Sequence, residues 1–437
     1  MRNWSGNHHW HPSRVVQPTT EREVVTLVRQ ALGEGRKIRP VGSAHSFMPL
    51  SATDDILLDL RRMSGLGTGF SGTEGSHCIP VRAGTTLHEL NELLAARGLA
   101  LENMGDIDVQ TVAGAISTGT HGTGLSFGNL STQVVALRMV DGRGQQVVCS
   151  ETENPELLRA ARLGLGLLGV ITEVTLRCVP AYHLELRIEK RPLREVIADY
   201  PSLNDGCRHF EAYWFPHTPW TMTKQLSVAP GGGVERASPV ADYLQEIVLE
   251  NYGFQALCDL SYRWPSLTPK LSRLAASLVS KHRKLAASYR VFSTPRLVRF
   301  NEMEYAVPQE AFPEVMREVE KRVNTHHTQL FFPLECRFVA GDRASYLSPA
   351  YGRDTAYIAC HVYHRKDYRP FLEDLEAIFR AYDGRPHWGK LHTLEQSDLA
   401  ALYPRFEDFN RQRVIHDPEG LFLSPRMAAL FGKVMVS

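Results

Sequence analysis

The chain has 437 residues, 43% of them hydrophobic and 22% charged, with 49 Lys and Arg against 48 Asp and Glu. These values are typical of a soluble globular protein of two or three domains, and they exclude a bulk charge that would attract nucleic acid or an anionic membrane. The seven cysteines are scattered without a CxxC pair, so we expect no disulfide framework, no metal site and a cytoplasmic location.

The amino terminus lacks an apolar signal core, and no later stretch reaches the roughly twenty apolar residues of a membrane span. His8, His9 and His11 could indicate a metal site, but we interpret this segment as a frayed polar terminus. Thr20 and Glu23 then form a capping box that predicts an amphipathic helix up to Gly33.

Short strands and helices alternate over the first 180 residues. Apolar runs predict strands at residues 37–41, 55–60, 77–82, 134–140, 146–149 and 170–178, and helices at residues 86–98 and 155–162. GLGLLG at residues 164–169 precedes a strand, and no GxGxxG sequence follows a strand and opens a helix, which argues against a Rossmann nucleotide site. We therefore predict one α+β unit over residues 1–180.

A turn of small residues follows the first long strand, in the sequence RPVGSAHSF at residues 39–47. Gly42 can adopt a positive φ, and the short side chains of Ser43 and Ala44 leave backbone N–H groups able to point at one anion. His45 would lie beside that anion. Taken alone, the turn is more typical of an ordinary strand end, since most such turns contain Gly and Ser.

A second run of small residues, VAGAISTGTHGTG at residues 112–124, changes the interpretation of the first turn. Four glycines in such a run are costly in regular structure unless another group approaches the backbone closely. We therefore expect one ligand to lie against both runs.

From residue 181 the pattern changes to alternating strands and longer helices, which predicts a second domain with one large antiparallel sheet over residues 181–400. The remaining segment, 401–437, is predicted to pack back on the first domain. Residues 227–238 are interpreted as a loop. Residues 270–290 hold six Lys or Arg and no acid, which predicts a basic helix that is either solvated or lies on a membrane surface.

Two later segments carry groups suited to chemistry. Glu335 and Arg337 occupy alternate positions of an apolar strand, so both side chains leave the same face of the sheet. They offer a proton acceptor and a fixed cation, or else form a structural ion pair. Lys390, in PHWGKLH, is either an exposed lysine, a lysine of lowered pKa or a cation that holds an anionic group.

The two small-residue runs resemble the FAD-binding domain of the vanillyl-alcohol-oxidase (PCMH) type. Together with LGVITEV, EMEYAVP, ECRF, LSPAYGRDT, PHWGK and DPEGLFLSP, they make the whole chain similar to the aldonolactone oxidase group, with alditol oxidases as close relatives. The fold class implied is α+β, a two-part FAD-binding domain plus a substrate domain whose large antiparallel sheet is flanked by helices.

The resemblance implies FAD attached covalently through His45, and it implies roles for matching residues. The cofactor-binding set is Val41, Gly42, Ser43, Ala44, His45, Ser46, Phe47, Thr111, Gly114, Thr118, Gly119, His121, Gly122, Thr123, Val170, Ile171 and His387. Glu335, Arg337 and Lys390 form the implied catalytic set, and Thr111 and Thr355 the substrate-binding set. Thr111 stands where alditol oxidases have serine, which leaves substrate preference open.

The activity implied is hydride transfer from a secondary hydroxyl of a sugar-1,4-lactone to the flavin, which molecular oxygen then reoxidises to give hydrogen peroxide. An alditol oxidase and a dehydrogenase with another electron acceptor remain alternatives, and either Glu335 or Lys390 could be the base. A non-catalytic nucleotide- or phosphate-binding module is the alternative of a different class. Nucleic-acid partners and membrane association are not expected.

Overall fold

The first half of the chain forms three small sheets. The computed structural model describes residues 1–69, 77–229 and 251–433. Up to residue 180 its elements are β1 (Arg14–Val16), α1 (Glu21–Gly33), β2 (Ile38–Val41), β3 (Ile56–Asp59), β4 (Cys78–Arg82), α2 (Leu87–Ala95), β5 (Leu99–Ala100), α3 (Val112–Thr118), β6 (Val134–Asp141), β7 (Gln146–Ser150), α4 (Pro155–Ala161), β8 (Gly169–Arg177) and β9 (Val179–Pro180). The sheets are a parallel β1-β3-β2, an antiparallel β4-β8-β6-β7 and the pair β5-β9.

Local sequence explains where these helices begin. Thr20 caps α1, and its hydroxyl accepts a hydrogen bond from the Glu23 amide at 3.3 Å. Thr86 caps α2 in the same way, with the Glu89 amide at 3.1 Å. Both helices bury one apolar face, so the predicted amphipathic helices are confirmed.

The second half is organised by one sheet of eight strands. Its elements are β10 (His183–Pro192), α5 (Leu193–Asp205), β11 (His209–Trp214), β12 (Trp220–Val228), α6 (Phe254–Arg263), α7 (Thr268–Leu278), β13 (His282–Ala287), α8 (Ser288–Phe292), β14 (Phe300–Pro308), α9 (Phe312–His326), β15 (Leu334–Val339), β16 (Thr355–Tyr363), α10 (Arg369–Ala381), β17 (Arg385–Pro386), α11 (Gln396–Leu402), α12 (Phe406–His416) and α13 (Pro425–Phe431). The strand order is β13-β10-β12-β11-β15-β16-β14-β17, and every neighbouring pair is antiparallel.

Two expectations about this half need comment. The basic helix predicted over residues 270–290 is wrong, because α7 ends at Leu278 and the chain then enters β13, which pairs with β10. Its basic residues are thus divided between a helix and an edge strand. The loop expected over residues 227–238 lies, from residue 230 onward, outside the described residues.

The carboxy-terminal helices contact the first half of the chain. The Ile38 amide donates to the Leu421 carbonyl at 2.9 Å, and the Arg39 guanidinium donates to the Phe422 carbonyl at 2.7 Å. In the DPEG turn, the Asp417 carboxylate accepts from the Leu421 amide at 2.7 Å, which fixes the turn. The division at residues 180 and 400 stays a prediction that these contacts support. In the described part of the chain, no helix is both long and apolar enough to cross a membrane.

Candidate functional site

A cleft of about 930 Å³ lies between the loop that follows β2 and helix α3. Ten of the predicted cofactor residues line it: Val41, Gly42, Ser43, Ala44, His45, Ser46, Thr111, Gly114, Thr118 and Ile171. The two small-residue runs therefore meet at one cavity.

The loop at residues 42–46 has the geometry of an anion-binding nest, although a different residue takes the unusual conformation. Ala44, and not Gly42, has a positive φ of 53°. Gly42 is required for another reason, since a Cβ there would lie 2.1 Å from the Thr111 hydroxyl. Among the described residues, the successive amide N–H groups of Ser43, Ala44, His45 and Ser46 have no acceptor. They are therefore available to a ligand.

His45 lies at the end of this nest. Its ring stacks on Trp4, with centroids 5.1 Å apart and an interplanar angle of 21°. Burial, followed by the charge of Lys390, lowers the pKa of His45 to about 4. At neutral pH the imidazole is therefore uncharged and keeps one nitrogen with a free lone pair.

Helix α3 supplies the opposite side of the cleft. Thr111 caps it, with its hydroxyl accepting from the Gly114 amide at 3.2 Å, and the Thr118 hydroxyl donates to the Gly114 carbonyl at 3.0 Å. Gly119 ends the helix with a φ of 77°, in the left-handed region that favours glycine. The short side chains thus bring helical backbone against the cleft.

The residues of this cleft fit an FAD group. Arg39, the single Lys or Arg among its lining residues, is 1% exposed and donates to the carbonyls of Leu50, Leu165, Gly166 and Phe422. Burial lowers the pKa of Arg39 to about 10, so it remains a cation at neutral pH. No carboxylate within the described ranges forms an ion pair with it. A buried cation beside free N–H groups suits an anionic pyrophosphate.

Several predicted cofactor residues lie outside the cleft lining. Val170 points away from it into the core, because its neighbour Ile171 takes the cleft face of β8. The Thr123 hydroxyl donates to the Phe210 carbonyl and accepts from the Phe338 amide at 3.1 Å, so it joins two strands of the large sheet. Gly122 packs against the Met104 carbonyl. Their cofactor roles stay predictions.

The large sheet presents a charged wall to this region, made of buried and half-buried ionisable side chains on β11, β12, β14 and β15 with neighbouring loops. Its acids are Asp106, Glu211, Glu302, Glu304 and Glu335, and its fixed cations are Lys224, Arg296, Arg337 and Lys390. The Phe47 amide donates to the Gly389 carbonyl at 2.7 Å, which joins the wall to the nest loop. The cleft and the wall are therefore adjacent.

Arg337 is the centre of the wall. Its guanidinium forms ion pairs with Glu335, with Glu211 at 3.2 Å and with Asp106 at 3.3 Å. Although burial opposes the charge, these carboxylates raise the pKa of Arg337 well above its usual value. The predicted pairing of Glu335 with Arg337 on one sheet face is therefore present in the structure.

Glu335 differs from the other acids. Burial raises its pKa, and the charges of Asp106 and Glu211 add to this, while Arg337 acts in the opposite direction. Its Oε1 atom accepts from the Tyr213 hydroxyl at 2.9 Å. Its second oxygen has no donor among the described residues, so that oxygen can accept a proton from a ligand.

Lys390 is a half-buried cation, with 22% of its side chain exposed. Its Nζ atom lies 2.5 Å from Glu302 Oε2 and 5.1 Å from the centre of the Phe47 ring. Burial lowers its pKa, but Glu302 and Glu304 outweigh burial, so the net pKa of Lys390 is raised. The alternatives of an exposed lysine and of a lysine with lowered pKa are therefore wrong, because two carboxylates stabilise the charge.

His121 and His387 lie together on the wall, beside Glu304, with ligand atoms within 4.8 Å of one another. Their hydrogen bonds do not favour a metal. His121 has a carbonyl at 2.9 Å from Nδ1 and Glu304 at 3.1 Å from Nε2, so both nitrogens face acceptors. His387 Nδ1 accepts from the Gly389 amide at 3.0 Å, and burial lowers its pKa to about 3, so the ring is neutral with its proton on Nε2.

Thr355 is not brought to this cluster. It begins β16, four residues before Ala359, which pairs with Glu335, so it lies about 13 Å along the strand from that position. Its hydroxyl donates to the Arg353 carbonyl at 3.0 Å. Its proposed contact with a substrate stays a prediction without structural support.

Sequence reasoning missed a large part of the charged wall. Glu302 and Glu304 alternate on β14 as Glu335 and Arg337 do on β15, so the same pattern could have found them. Asp106 and Arg296 come from loops and had no local signal. Their ion pair, at 2.6 Å, forms only in the folded chain.

Comparison with known proteins shows the family of this chain. Residues 174–430 match the D-arabinono-1,4-lactone oxidase family, and residues 12–150 match an FAD-binding domain family. The chain belongs to the D-arabinono-1,4-lactone oxidase family. It is an FAD-dependent oxidoreductase, and the fold class and family expected from the sequence are confirmed.

Relatives within the family match along almost the whole chain. The L-gulono-1,4-lactone dehydrogenase of Mycobacterium tuberculosis is 38% identical over 433 residues, with 98% of each chain covered. The L-gulonolactone oxidase of Mus musculus is 30% identical, covering 99% of this chain and 98% of that protein.

Solved structures show the same fold. The cholesterol oxidase of Brevibacterium sterolicum superposes with a TM-score of 0.79 at 18% identity and covers 98% of this chain and 96% of its own. The xylooligosaccharide oxidase of Myceliophthora thermophila gives a TM-score of 0.72 at 16% identity, with 98% and 93% covered.

Proposed function

We propose that this protein oxidises a secondary hydroxyl of a sugar-1,4-lactone with FAD as the resident cofactor. The observation that carries the proposal is the buried pair of Glu335 and Arg337 beside a cleft that fits the flavin nucleotide. The names of the relatives, a gulonolactone dehydrogenase and a gulonolactone oxidase, support the same substrate class.

The charge of the wall favours an uncharged, hydroxyl-rich substrate. Five carboxylates (Asp106, Glu211, Glu302, Glu304, Glu335) face four Lys or Arg side chains (Lys224, Arg296, Arg337, Lys390) within the described chain. The acids and the cations are interspersed, so the wall offers both signs of charge to a ligand. Sugar hydroxyls, which both donate and accept, can pair with both signs.

Glu335 is assigned as the base. Its raised pKa and its free oxygen suit it to accept the hydroxyl proton, whereas the ammonium of Lys390 has no lone pair. Arg337 orients the substrate with its planar guanidinium. On the cleft side, the Thr111 hydroxyl accepts from the Gly114 amide and can still donate its own proton to the substrate. When bound, FAD supplies the hydride acceptor. Lys390, whose Nζ lies 5.1 Å from the centre of the Phe47 ring, would supply a fixed positive charge to the cofactor site.

Covalent attachment of FAD through His45 is part of the proposal. A C–N bond would replace one C–H bond of the cofactor's 8α-methyl group and the N–H of the imidazole, and two electrons and two protons would pass to the acceptor that reoxidises the enzyme. The neutral His45 ring supports this, because a protonated imidazole has no nucleophilic nitrogen. Flavin that remains with the protein after acid precipitation, and leaves it in His45→Ala, is the expected result.

Molecular oxygen is proposed as the electron acceptor of the second half-reaction, as the name of the related L-gulonolactone oxidase suggests. An organic acceptor is the alternative, because another relative is named a dehydrogenase. A cytoplasmic location is proposed from the seven cysteines, all of which are free thiols.

The deciding experiment is anaerobic bleaching of the flavin by L-gulono-1,4-lactone, D-arabinono-1,4-lactone and xylitol. Faster reduction by a lactone is expected, and faster reduction by xylitol would favour the alditol alternative. Reoxidation is then followed with oxygen and with a dye acceptor. A purified protein that lacks a flavin spectrum would contradict the proposal and favour a non-catalytic binding module.

A further inference from the structure

The first ten residues form a closed loop on the cofactor cleft. The Met1 ammonium donates to the Trp10 carbonyl at 2.6 Å, and the Trp10 amide donates to the Met1 carbonyl at 3.0 Å. Asn3 is 4% exposed, and its side-chain oxygen accepts from the amides of Gly6 and His8, both at 3.2 Å. The interpretation of this segment as a frayed terminus is therefore wrong, because these hydrogen bonds hold the segment in place.

The same loop donates hydrogen bonds to backbone carbonyl groups of the nest loop. The Trp4 amide donates to the Ala44 carbonyl at 2.9 Å, and Asn3 Nδ2 donates to the Ser46 carbonyl at 3.0 Å. Asn7 Nδ2 donates to the Phe47 carbonyl at 3.2 Å. With these carbonyls held on the loop side, the free N–H groups of the nest are left for the cleft.

Trp4 also fixes the orientation of His45. The Trp4 indole makes edge contacts with Phe47 and Phe300, at centroid distances of 6.2 and 5.2 Å, and it stacks on the His45 ring. No residue in the described ranges forms a hydrogen bond with that imidazole. Stacking on Trp4 is therefore the contact that limits rotation of the ring.

Trp10 carries a donor without a partner. It is 5% exposed and lines the cleft, and its indole N–H has no acceptor among the described residues. A buried donor that stays unpaired is destabilising, so an acceptor is expected from whatever fills the cleft. A flavin nucleotide presents phosphate, ribityl and ring oxygens, all of which accept hydrogen bonds.

We propose that the loop of residues 1–10 is part of the cofactor site, in which Trp10 donates its indole N–H to the bound FAD and Trp4 holds the His45 imidazole for attachment. This inference rests on the proposed function. Trp10 is a binding residue, and Trp4 is a positioning residue.

The Trp10 contact is tested by FAD affinity in the His45→Ala background, where attachment cannot mask binding. Trp10→Phe keeps an aromatic ring and removes the donor, so the Kd is expected to rise about tenfold. Trp264→Phe is the matched control, because Trp264 is 47% exposed and does not line the cleft. An unchanged Kd in Trp10→Phe would overturn the assignment.

A second measurement does not depend on how well the Trp10 variant folds. The chain has six tryptophans, so ¹⁵N-indole spectra of the His45→Ala protein show few signals. FAD is expected to shift the Trp10 indole N–H signal and slow its hydrogen exchange. A Trp10 signal that does not respond, while other signals show that FAD binds, would refute the hydrogen bond.

The Trp4 role is tested by the fraction of flavin that stays with the protein after acid precipitation. Trp4→Ala should lower this fraction several-fold at equal FAD occupancy, and Trp4→Phe should restore it. If Trp4→Ala attaches flavin as fully as the parent, the positioning role is wrong. If the parent itself attaches none, the covalent part of the proposed function fails, and the Trp10 measurements still decide the rest.

Discussion

The cofactor cleft and the charged wall beside it are built from different chemistry. The cleft is lined by small uncharged residues and backbone, with Arg39 as its buried cation, whose guanidinium is held by four carbonyls. The wall has five carboxylates and four Lys or Arg side chains, joined by ion pairs such as Glu335 with Arg337. The cleft lets a ligand approach the backbone closely, and the wall holds charged groups in fixed positions.

This difference implies a division of labour. A cofactor that stays bound needs shape and free N–H groups, and small residues supply both. A reaction that moves a proton and a hydride needs charges held in place, which only paired, buried ionisable groups supply. Substitutions in the wall should therefore change rate, and substitutions in the cleft should change flavin content.

The largest effect is expected for Glu335→Gln, which keeps the shape of the side chain and removes the base. The rate of anaerobic flavin reduction should fall about 10²- to 10⁴-fold. In the parent protein the rate should decline as pH falls through the pKa of Glu335, which burial raises above the usual 4.5, because the base is then protonated. This acid limb should be absent from the variant.

Flavin content and melting temperature serve as controls for that variant. Both should stay near the parent values, since the amide can still accept from Tyr213. A Glu335→Gln protein that reduces its flavin at the parent rate would show that the pair with Arg337 is only structural.

Arg337→Lys is expected to lose about a hundredfold in flavin reduction, because an ammonium cannot reproduce the planar contacts with Glu335, Glu211 and Asp106. The flavin spectrum should be unchanged. Full rescue by lysine would mean that charge alone matters at this position.

Gly42→Ala tests the cleft side. The added Cβ would lie 2.1 Å from the Thr111 hydroxyl, so the nest loop must move, at a cost of about 1–3 kcal/mol of stability. Flavin content should fall, measured as the ratio of flavin to protein absorbance. Gly33→Ala is the control, since a Cβ there has open space, and it should keep full flavin content.

The smallest effect is expected outside both regions. Arg283 pairs with Glu185 at the edge strand β13, and its side chain is 68% exposed. Replacing Lys281 and Arg283 by glutamine should leave flavin content and rate unchanged and should alter stability by less than about 1 kcal/mol, measured by thermal melting. A loss of activity would show that charges far from the wall also affect the reaction rate.

Local sequence could predict much of this structure, because capping residues, strand periodicity and small-residue runs act over a few neighbours. Helix α1 begins at its Thr20 cap, and the alternation of Glu335 with Arg337 placed both on one face of β15. The two glycine-rich runs indicated a cleft before its shape was known. The family is confirmed by the match of residues 174–430 to the D-arabinono-1,4-lactone oxidase family.

The tertiary structure decided what depends on residues far apart in the chain. Lys390 is a cation because Glu302, 88 residues earlier, pairs with it, and no local pattern shows that partner. Gly42 is required by the approach of Thr111, and the polar amino terminus is ordered because the nest carbonyls accept its N–H groups. The sequence by itself therefore determined the elements, the motifs and the family. Protonation states and partners were decided by folding, because burial and long-range contacts set them.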